Sequence, residues 1–347
     1  MPPVQPMLAK AQTSVPDGAG VWSYEPKWDG FRALVFRDGD EVVVQSRNGK
    51  DLGRYFPELI DTLRDGIAAR CVLDGEVVVP RQIDGRIRLD WDSLSQRIHP
   101  AQSRVRMLAE QTPAHFIGFD ALALGNRSMM DQPFRIRREA LVDCVDTAPR
   151  CHITRTTVDP AEGQAWLTTF EGAGLDGVVA KRLDGQYLPG KRDMVKVKHA
   201  RDADCVAIGY RVHSSGDGVG SILLGLYRDD GELQMVGGAA SFATADRLRL
   251  LAELEPLREG ADIVNDGEPS RWNSGADKRW IPIRPEKVAE VAYDQMEGGH
   301  TTGAGRQRFR HTVRFVRWRP DRDPTSCTFD QLDTPVNYDL ADVFEAP

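Results

Sequence analysis

The sequence places one lysine where it could act as a nucleophile. Lys27 lies in the segment 25–32 (EPKWDGFR), directly after the apolar stretch 21–24 (VWSY). A lysine at the end of a strand, followed by an acid, a glycine and an arginine, is typical of a placed nucleophile. The K-x-D-G pattern is short, and a solvated lysine beside an Asp-Gly turn is its common alternative. The interpretation of Lys27 therefore depends on the motifs that follow it.

Five short motifs after Lys27 supply cations, carboxylates and an aromatic side chain. They are SRNG at 46–49, LDGE at 73–76, FIGFD at 116–120, DGVVAK at 176–181 and KVK at 196–198. Each is also compatible with an ordinary turn or an exposed strand, but the ordered set suits attack on a nucleotide phosphate. The sequence has no Walker motif and no G-x-G-x-x-G between a strand and a helix, which disfavours P-loop and dinucleotide-binding proteins.

Attack on phosphorus by an amine needs particular neighbours. The nitrogen must be neutral, and nearby cations such as Lys196 and Lys198, or a metal ion, depress the pKa of an amine. Carboxylates such as Glu76 and Asp176 suit Mg²⁺, which neutralises the charge that develops on the phosphate. The motifs therefore predict a lysine nucleophile that is served by cations and by a metal.

Length and composition indicate the kind of protein that holds these motifs. The chain has 347 residues, which favours two domains, and its 41% hydrophobic and 28% charged residues are typical of a globular protein. It has no apolar run long enough to cross a bilayer and no start typical of a secretory signal. Its five cysteines form no C-x-x-C pair, which predicts free, mostly buried thiols in a cytoplasmic protein.

The distribution of charge matters more here than the net charge of −7. A negative total argues mildly against a nucleic-acid partner, because proteins that bind duplexes present a basic face. The segments 181–201 and 306–322, however, concentrate Lys, Arg and His residues and interleave them with apolar residues in a strand-like pattern. This pattern predicts cations on an ordered surface.

The elements that must position these residues fall into two regions. Strands are predicted at 31–36, 41–46, 71–79 (with an acidic turn inside), 115–124, 177–181 and 194–197, and helices at 57–63, 135–144 and 161–170. This mixture predicts an α+β domain over residues 1–200 with largely antiparallel sheets. Strands at 206–212, 221–227, 232–237, 287–293 and 312–318, with a helix at 245–254, predict a small barrel such as the OB-fold over residues 201–347.

The ordered motifs resemble those of the covalent nucleotidyltransferases, which comprise ATP-dependent DNA ligases, RNA ligases and mRNA capping enzymes. The similarity extends from PMLA at 6–9 to RWRPDR at 317–322. The compact two-domain length is similar to that of the stand-alone bacterial ligases of the ligase C type. The resemblance implies a nucleotidyltransferase (adenylation) domain with antiparallel sheets, followed by a C-terminal OB-fold β-barrel.

The resemblance implies catalytic and metal-binding roles for five residues. Lys27 matches the lysine that becomes adenylated, and Lys196 and Lys198 match the pair that acts on the α-phosphate. Glu76 matches an acid that contacts the ribose or the metal. Asp176 stands where the family usually has glutamate, so its shorter reach changes the geometry at the metal.

The resemblance also implies roles in binding the nucleotide. Glu25 lies where the main chain reads adenine, and Phe119 lies where an aromatic ring stacks on it. Arg32 and Arg47 match arginines that bind the ribose and the nick phosphate. Lys181 closes the fourth motif beside the nucleotide.

The last motif belongs to the predicted second domain. Arg317, Arg319 and Asp321 match residues that orient the leaving pyrophosphate, and Arg322 stands where lysine is common. Because this motif must reach ATP and the same domain must later reach DNA, we expect a hinge near residues 201–204.

The resemblance implies an ATP-dependent DNA ligase that seals nicks in duplex DNA through a lysyl-AMP intermediate. Its cofactors are expected to be ATP and Mg²⁺ (or Mn²⁺), its partner nicked double-stranded DNA, and its state a cytoplasmic monomer that binds no membrane. Two alternatives remain open from the sequence. One is an RNA ligase or a GTP-dependent capping-type enzyme, and the other is a non-catalytic nucleic-acid-binding module.

Overall fold

The computed structural model describes residues 4–83, 85–145, 148–198, 201–260, 264–265, 279–297, 307–332 and 338–344. The chain divides into two compact units. Unit 1 comprises Met1–His199 together with Pro335–Pro347, and unit 2 comprises Ala200–Thr334. Each unit is described separately below.

In the described residues from 4 to 198, unit 1 contains twelve strands and five α-helices. The strands are β1 Leu8–Gln12, β2 Trp22–Pro26, β3 Phe31–Asp38, β4 Glu41–Ser46, β5 Arg70–Val78, β6 Pro80–Ile83, β7 Arg86–Leu89, β8 His115–Leu124, β9 Arg127–Ser128, β10 Cys151–Ile153, β11 Val178–Arg182 and β12 Arg192–Val197. The helices are α1 Pro57–Gly66, α2 Trp91–Gln96, α3 Gln102–Gln111, α4 Phe134–Cys144 and α5 Pro160–Thr169.

Two sheets of unit 1 carry the predicted motifs. The first has the order β1-β12-β11-β2, and the second has the order β10-β8-β5-β3-β4 with β9 paired to β8. Neighbouring strands are antiparallel except for the pairs β1–β12 and β10–β8. Met194 of the first sheet packs with Leu34, Val72 and Leu122 of the second. This shared apolar layer sets the two sheets against each other, and α1 packs its buried Leu59 into the core of the second sheet.

The described residues of unit 2 form a closed barrel whose main sheet pairs its strands antiparallel, together with one α-helix. Its strands are β13 Arg201–Val212, β14 Val219–Tyr227, β15 Leu233–Ala240, β16 Ile281–Pro282, β17 Val288–Tyr293, β18 Met296–Glu297, β19 Arg308–Phe309 and β20 Arg314–Trp318, and its helix is α6 Thr244–Leu254. The main sheet has the order β15-β14-β13-β17-β20. The Val313 N–H, just before β20, donates to the Gly238 carbonyl in β15 at 3.0 Å. Since this bond joins the first and last strands of the order, the sheet closes as an OB-fold does.

A short C-terminal segment belongs to unit 1 by its contacts. Helix α7, Ala341–Phe344, buries Val343, and Leu340 just before it is fully buried in the same apolar cluster as Trp28. The Leu340 N–H donates to the Ile87 carbonyl at 2.9 Å. The Phe344 ring stacks on the His152 ring, with centroids 4.2 Å apart.

The α+β class, the antiparallel sheets and the C-terminal OB-fold barrel are confirmed. The five cysteines are free and buried, as predicted. The acidic turn predicted inside 71–79 was wrong: β5 runs through it, with a change of register against β8 between Asp74 and Gly75. An Asp-Gly pair predicts a turn, but Gly75 here permits close packing, since a Cβ would lie 2.3 Å from the Phe116 Cζ.

Two predictions concern the boundary between the units. The units divide between His199 and Ala200, next to the predicted hinge near residues 201–204, and these four residues pair with β17 as the first rungs of β13. The hinge itself stays a prediction. The sequence also assigned all of 201–347 to the second domain, whereas the segment from Pro335 clusters with unit 1. The sequence pattern misses this return because only tertiary packing of Leu340 and Val343 places the segment there.

Candidate active site

A cavity of about 240 Å³ in unit 1 brings together several of the predicted motifs. Its walls come from both sheets and from the N-terminal segment. Its lining consists of Pro6, Met7, Leu8, Ala9, Glu25, Pro26, Lys27, Trp28, Arg32, Arg47, Glu76, Phe119, Val179, Arg192, Met194 and Lys196. The cavity therefore collects residues from the Lys27 segment and from all five motifs that follow it, which lie far apart in the sequence.

Backbone contacts hold Lys27 at this cavity. Lys27 follows β2, and its N–H donates to the Gly177 carbonyl at 2.8 Å, while the Asp176 N–H donates to the Lys27 carbonyl at 2.9 Å. Gly30 is required beyond it, because a Cβ there would lie 2.2 Å from the Val77 carbonyl oxygen. Gly177, at φ +132°, likewise leaves no room for a Cβ against Val197. The two Asp-Gly motifs thus place the side chains of Lys27 and Asp176 side by side.

Asp176 stands between two of the predicted catalytic lysines. Its carboxylate is ion-paired with the Lys27 ammonium and lies 3.2 Å from the Lys198 Nζ. Burial by itself raises the pKa of Asp176, but the charges and hydrogen bonds of the two lysines outweigh it and lower the pKa overall. In this arrangement Asp176 is ionised and is occupied by lysines rather than open to a metal.

Lys196 is a cation at this site that forms no ion pair with any acid among the described residues. It lines the cavity and has no hydrogen-bond or ion-pair partner among the described residues. Its pKa is lowered by partial burial first and then by the positive charges of Lys27 and Lys198. An unneutralised ammonium in a concave site is suited to bind an anion such as a phosphate.

Glu76 is the carboxylate that is open to the cavity. No described residue lies within hydrogen-bond or ion-pair distance of it. Burial raises its pKa to about 8, although Arg32 and Lys27 act in the opposite direction. Within the described residues no group of three or more His, Cys, Asp or Glu side chains could form a complete metal cage. A single open carboxylate beside a phosphate site nevertheless fits Mg²⁺, which keeps waters and takes phosphate oxygens as ligands.

Phe119 lies at the floor of the cavity between two cations. Its ring is 6% exposed, with the Arg32 guanidinium carbon 4.5 Å and the Lys181 Nζ 4.6 Å from its centroid. Lys181 is itself buried, paired with the Glu25 carboxylate at 2.9 Å and donating to the Phe119 carbonyl at 2.8 Å. The Lys181 side chain therefore supports the floor from behind and does not line the cavity.

Arg47 and Arg192 both line the cavity, but the sequence analysis selected only Arg47. Arg47 is exposed, lines the cavity and has no ion-pair partner among the described residues. Arg192 also lines the cavity, although the sequence analysis did not select it. The pattern that could have identified Arg192 is the alternation of side chains along β12. Arg192, Met194 and Lys196 are spaced by two residues and therefore point to the same face of the strand.

The sequence analysis also missed two buried residues beside the cavity. Asp74 is fully buried and binds Arg32 through both carboxylate oxygens, at 2.6 Å each. Tyr187 is 2% exposed and donates to Asp74 at 2.6 Å. Asp74 sits in the LDGE motif and could have been paired with Arg32, but Tyr187 lies in no motif and carried no such signal.

The last motif lies in unit 2, where its arginines are held by acids. Arg317 is paired with Glu290 at 2.8 Å, and Arg319 is paired with Asp204 at 3.0 Å and with Asp321 at 2.8 Å. The hydrogen bonds that Arg319 donates lower the pKa of Asp321 to about 2. The motif is thus an ordered ion-pair network on the barrel.

Comparison with protein families accounts for both units. The ATP-dependent DNA ligase domain matches residues 6–198, and the C-terminal region of ATP-dependent DNA ligases matches residues 215–322. The chain belongs to the ATP-dependent DNA ligase family. This ligase is 77% identical over 99% of its length to DNA ligase C1 of Mycolicibacterium smegmatis, of which it covers 98%. It is 50% identical over 99% of its length to DNA ligase C of Mycobacterium tuberculosis, of which it covers 97%.

Solved structures agree with this assignment at the level of the fold. A structure of a Lig E DNA ligase is 16% identical, and the match covers 90% of this chain and 99% of that one with a TM-score of 0.56. The ligase is accordingly an ATP-using enzyme of the bacterial ligase C type, acting on DNA with a divalent metal. The RNA ligase, capping-enzyme and non-catalytic alternatives are not favoured. No helix in the described part of the chain is long and apolar enough to span a membrane.

Proposed function

We propose that this ligase seals nicks in duplex DNA in three steps, with Lys27 as the nucleophile. The Lys27 nitrogen attacks the α-phosphate of ATP, a nitrogen–phosphorus bond forms and pyrophosphate leaves. The AMP then passes to a 5′-phosphate at the nick, which frees Lys27. The adjacent 3′-hydroxyl finally attacks that 5′-phosphate and releases AMP. The observation that carries this proposal is the position of Lys27 at a cavity that also presents Lys196 and the open Glu76.

The lysines divide the work of the first step. Lys196, without an acid partner among the described residues, is available to bind the α-phosphate. Lys198 and Lys27 share Asp176, so Asp176 stabilises the ammonium of Lys27 until attack. Attack requires the neutral amine, and we infer that Asp176 turns to Lys198 or to the metal at that stage.

The nucleotide is held by the cavity floor and rim. Phe119 stacks on adenine, and the main chain of Glu25 reads its edge. Arg32 and Arg47 bind the ribose and, in the second step, the nick phosphate. Arg47 suits the phosphate because its guanidinium has no ion-pair partner among the described residues. Lys181 acts from behind the floor, through its contacts with Glu25 and Phe119.

A divalent metal, Mg²⁺ or Mn²⁺, is expected at Glu76, with Asp176 as a second ligand once it leaves the lysines. Such an ion neutralises charge on the phosphates when it is bound. Two observations on Glu76 support this assignment. Burial disfavours its charged form, and its carboxylate has no protein partner among the described residues. A bound cation would remove that cost.

The C-terminal domain serves the first step through its last motif. Arg317 and Arg319 orient the leaving pyrophosphate, with Asp321 fixing Arg319. We further propose that unit 1, Met1–His199 with Pro335–Pro347, is the adenylation domain and that unit 2, Ala200–Thr334, is the OB-fold domain. We also propose that the ligase is a cytoplasmic monomer and that its DNA partner is a nicked duplex bound through its phosphates.

The test is incubation of the protein with ATP labelled at the α-phosphate and with nicked duplexes, including nicks that contain ribonucleotides. We expect a covalent AMP adduct and joining of the nick with release of AMP. GTP in place of ATP should give no adduct. Labelling by GTP would favour a capping-type enzyme, and joining of RNA alone would favour an RNA ligase.

A further inference from the structure

Four residues beside the cavity form a closed ring of hydrogen bonds. Arg32 donates from both Nε and Nη2 to the Asp74 carboxylate, at 2.6 Å each. The Tyr187 hydroxyl donates to the same carboxylate at 2.6 Å and accepts from the Met7 N–H at 2.9 Å. Arg32 Nη2 also donates to the Met7 carbonyl at 3.3 Å, which closes the ring.

Three of the four residues in the ring are buried. Asp74 is 0%, Tyr187 2% and Met7 3% exposed. The fourth member is Arg32. Its guanidinium lies at the cavity and covers the Phe119 ring, with the guanidinium carbon 4.5 Å from the ring centroid. Hydrogen bonds to a buried charged group are stronger than those in water, and each orients its partner.

Tyr187 has a particular place in this ring. Its hydroxyl connects Asp74, on a strand of the second sheet, with the Met7 N–H of the N-terminal segment, while Arg32 Nη2 makes a second, longer link from Asp74 to the Met7 carbonyl. That segment, residues 6–9, forms a wall of the cavity. The loop around Tyr187 reinforces the link, since Leu188 N–H approaches the Met7 Sδ at 3.2 Å and Leu8 N–H donates to the Lys191 carbonyl at 2.7 Å.

We propose that Tyr187 is a positioning residue for ATP, which through Asp74 and Met7 fixes both the Arg32 guanidinium and the N-terminal wall of the nucleotide cavity. The inference rests on the proposed function of that cavity. A hydroxyl suits this role because it donates and accepts at once. Phenylalanine has the same ring without the hydroxyl, so Tyr187→Phe removes the link while it preserves the packing.

Removing the hydroxyl should weaken the ground-state hold on ATP. Because Asp74 loses one hydrogen-bond donor in the variant, Arg32 and residues 6–9 are held less firmly. ATP must then order them when it binds, and this ordering costs binding free energy. Lys27, Lys196 and Lys198 are outside the ring, so the rate at saturating ATP should change little. We therefore expect a split between the two kinetic parameters, which a general loss of fold would not produce.

The experiment measures the rate of Lys27–AMP formation against ATP concentration in Tyr187→Phe. The half-saturating ATP concentration should rise roughly tenfold, the effect of one hydrogen bond to a charged group, while the maximal rate stays near that of wild type. The matched control is Tyr24→Phe. Tyr24 is a fully buried tyrosine of the same unit whose hydroxyl donates to the Pro16 carbonyl at 2.7 Å, and its loss should leave the half-saturating concentration unchanged.

A double-mutant cycle shows whether Tyr187 acts through Asp74. Asp74→Asn alone should raise the half-saturating ATP concentration, and adding Tyr187→Phe should raise it little further. Independent, additive effects would overturn the proposal. If Tyr187→Phe does not fold, as judged by circular dichroism, Asp74→Asn carries the test, because it weakens the acceptor of the Tyr187 hydroxyl and an unchanged half-saturating ATP concentration in it would overturn the proposal.

The outcomes separate this inference from the proposed function. Absence of an AMP adduct on the wild-type protein would contradict the proposed function itself. A normal adduct on wild type, with an unchanged half-saturating ATP concentration in Tyr187→Phe, would overturn only the role of Tyr187. A fall in maximal rate alone would also overturn it.

Discussion

The charged residues of the two units are arranged in opposite ways. In unit 1, Glu76, Lys196 and Arg47 line the cavity without a hydrogen-bond or ion-pair partner among the described residues. In unit 2, Arg317 and Arg319 are matched by Glu290, Asp204 and Asp321. A charge without a protein partner is available to a ligand at once, whereas a paired one must first exchange its partner.

This difference indicates how each unit can contribute to catalysis. The cavity of unit 1 is preorganised, so its cations meet the charge of a nucleotide without rearranging. In the network of unit 2, the Arg317–Glu290 and Arg319–Asp321 pairs each have one exposed member and contribute little to stability. Asp204, which also holds Arg319, is buried. Arg317 can therefore change partners at a smaller cost than Arg319.

The largest expected effect tests the nucleophile of unit 1. Lys27→Ala should abolish the AMP adduct, because among the described residues no other lysine both pairs with Asp176 and lines the cavity. Mass spectrometry of the protein after incubation with ATP makes the measurement. Lys10→Ala is the control, since Lys10 is an exposed lysine of the same unit that does not line the cavity. An adduct that survives in folded Lys27→Ala would contradict the assignment.

The second prediction tests the paired arginines of unit 2. Replacing both Arg317 and Arg319 with alanine should slow adduct formation by about 100-fold, because charge develops on pyrophosphate only in that step. Joining of a nick that already carries 5′-AMP should be retained. Gel assays of labelled protein and labelled DNA measure the two steps.

The control for this pair is the double change Arg228→Ala and Arg249→Ala, which also removes two ion-paired arginines from unit 2. It should leave both steps intact. The opposite pattern, with adduct formation retained and joining lost and less dependent on salt, would mean that Arg317 and Arg319 bind the DNA backbone instead. Equal loss of both steps in a folded variant would also contradict the proposal.

A smaller effect is expected at the floor of the cavity. Phe119→Ala should weaken ATP binding by roughly 1–3 kcal/mol, the range for stacking of a base on an aromatic ring. Joining of a pre-adenylated nick should suffer less. ATP titration and thermal unfolding together make the measurement.

Phe116→Ala is the matched control, because Phe116 is a fully buried phenylalanine of the same strand outside the cavity. It should lower stability by roughly 3–5 kcal/mol without a specific change in ATP affinity. If Phe119→Ala behaves in the same way, Phe119 is a core residue and the stacking role fails.

The smallest expected effect concerns the ion pairs of unit 2 and their dependence on pH. Hydrogen bonds from Arg319 lower the pKa of Asp321 to about 2, against 3.8 for an ordinary aspartate. A lowered pKa gives stability that is present above pH 3.8 and is lost as the pH falls through 2. Asp321→Asn should therefore lower the melting temperature slightly at pH 7 and not at pH 2.

Asp330→Asn provides the baseline for that comparison, as Asp330 is an exposed aspartate of unit 2. Scanning calorimetry at several pH values gives the melting temperatures of both variants. A difference between Asp321→Asn and wild type that is the same at pH 2 and pH 7 would show that the Arg319–Asp321 pair is not its source.

The sequence by itself determined the fold class, the family and the order of the motifs. Strands such as β3, β4 and β8 followed from alternating apolar residues and Asp-Gly turns, and the motif series was specific because its members occur in a fixed order. These are local or serial properties, so they can be seen without tertiary structure.

Only the tertiary structure decided which charges have partners and which face the cavity. In the structure Asp176 pairs with Lys27 and Lys198, and the buried Lys181 pairs with Glu25. Arg192 lines the cavity, and the segment that contains Leu340 clusters with unit 1. The physical reason is that these contacts join residues from different parts of the fold, most of them more than a hundred positions apart in the sequence. Local sequence patterns specify the strand, and packing between strands specifies its neighbours.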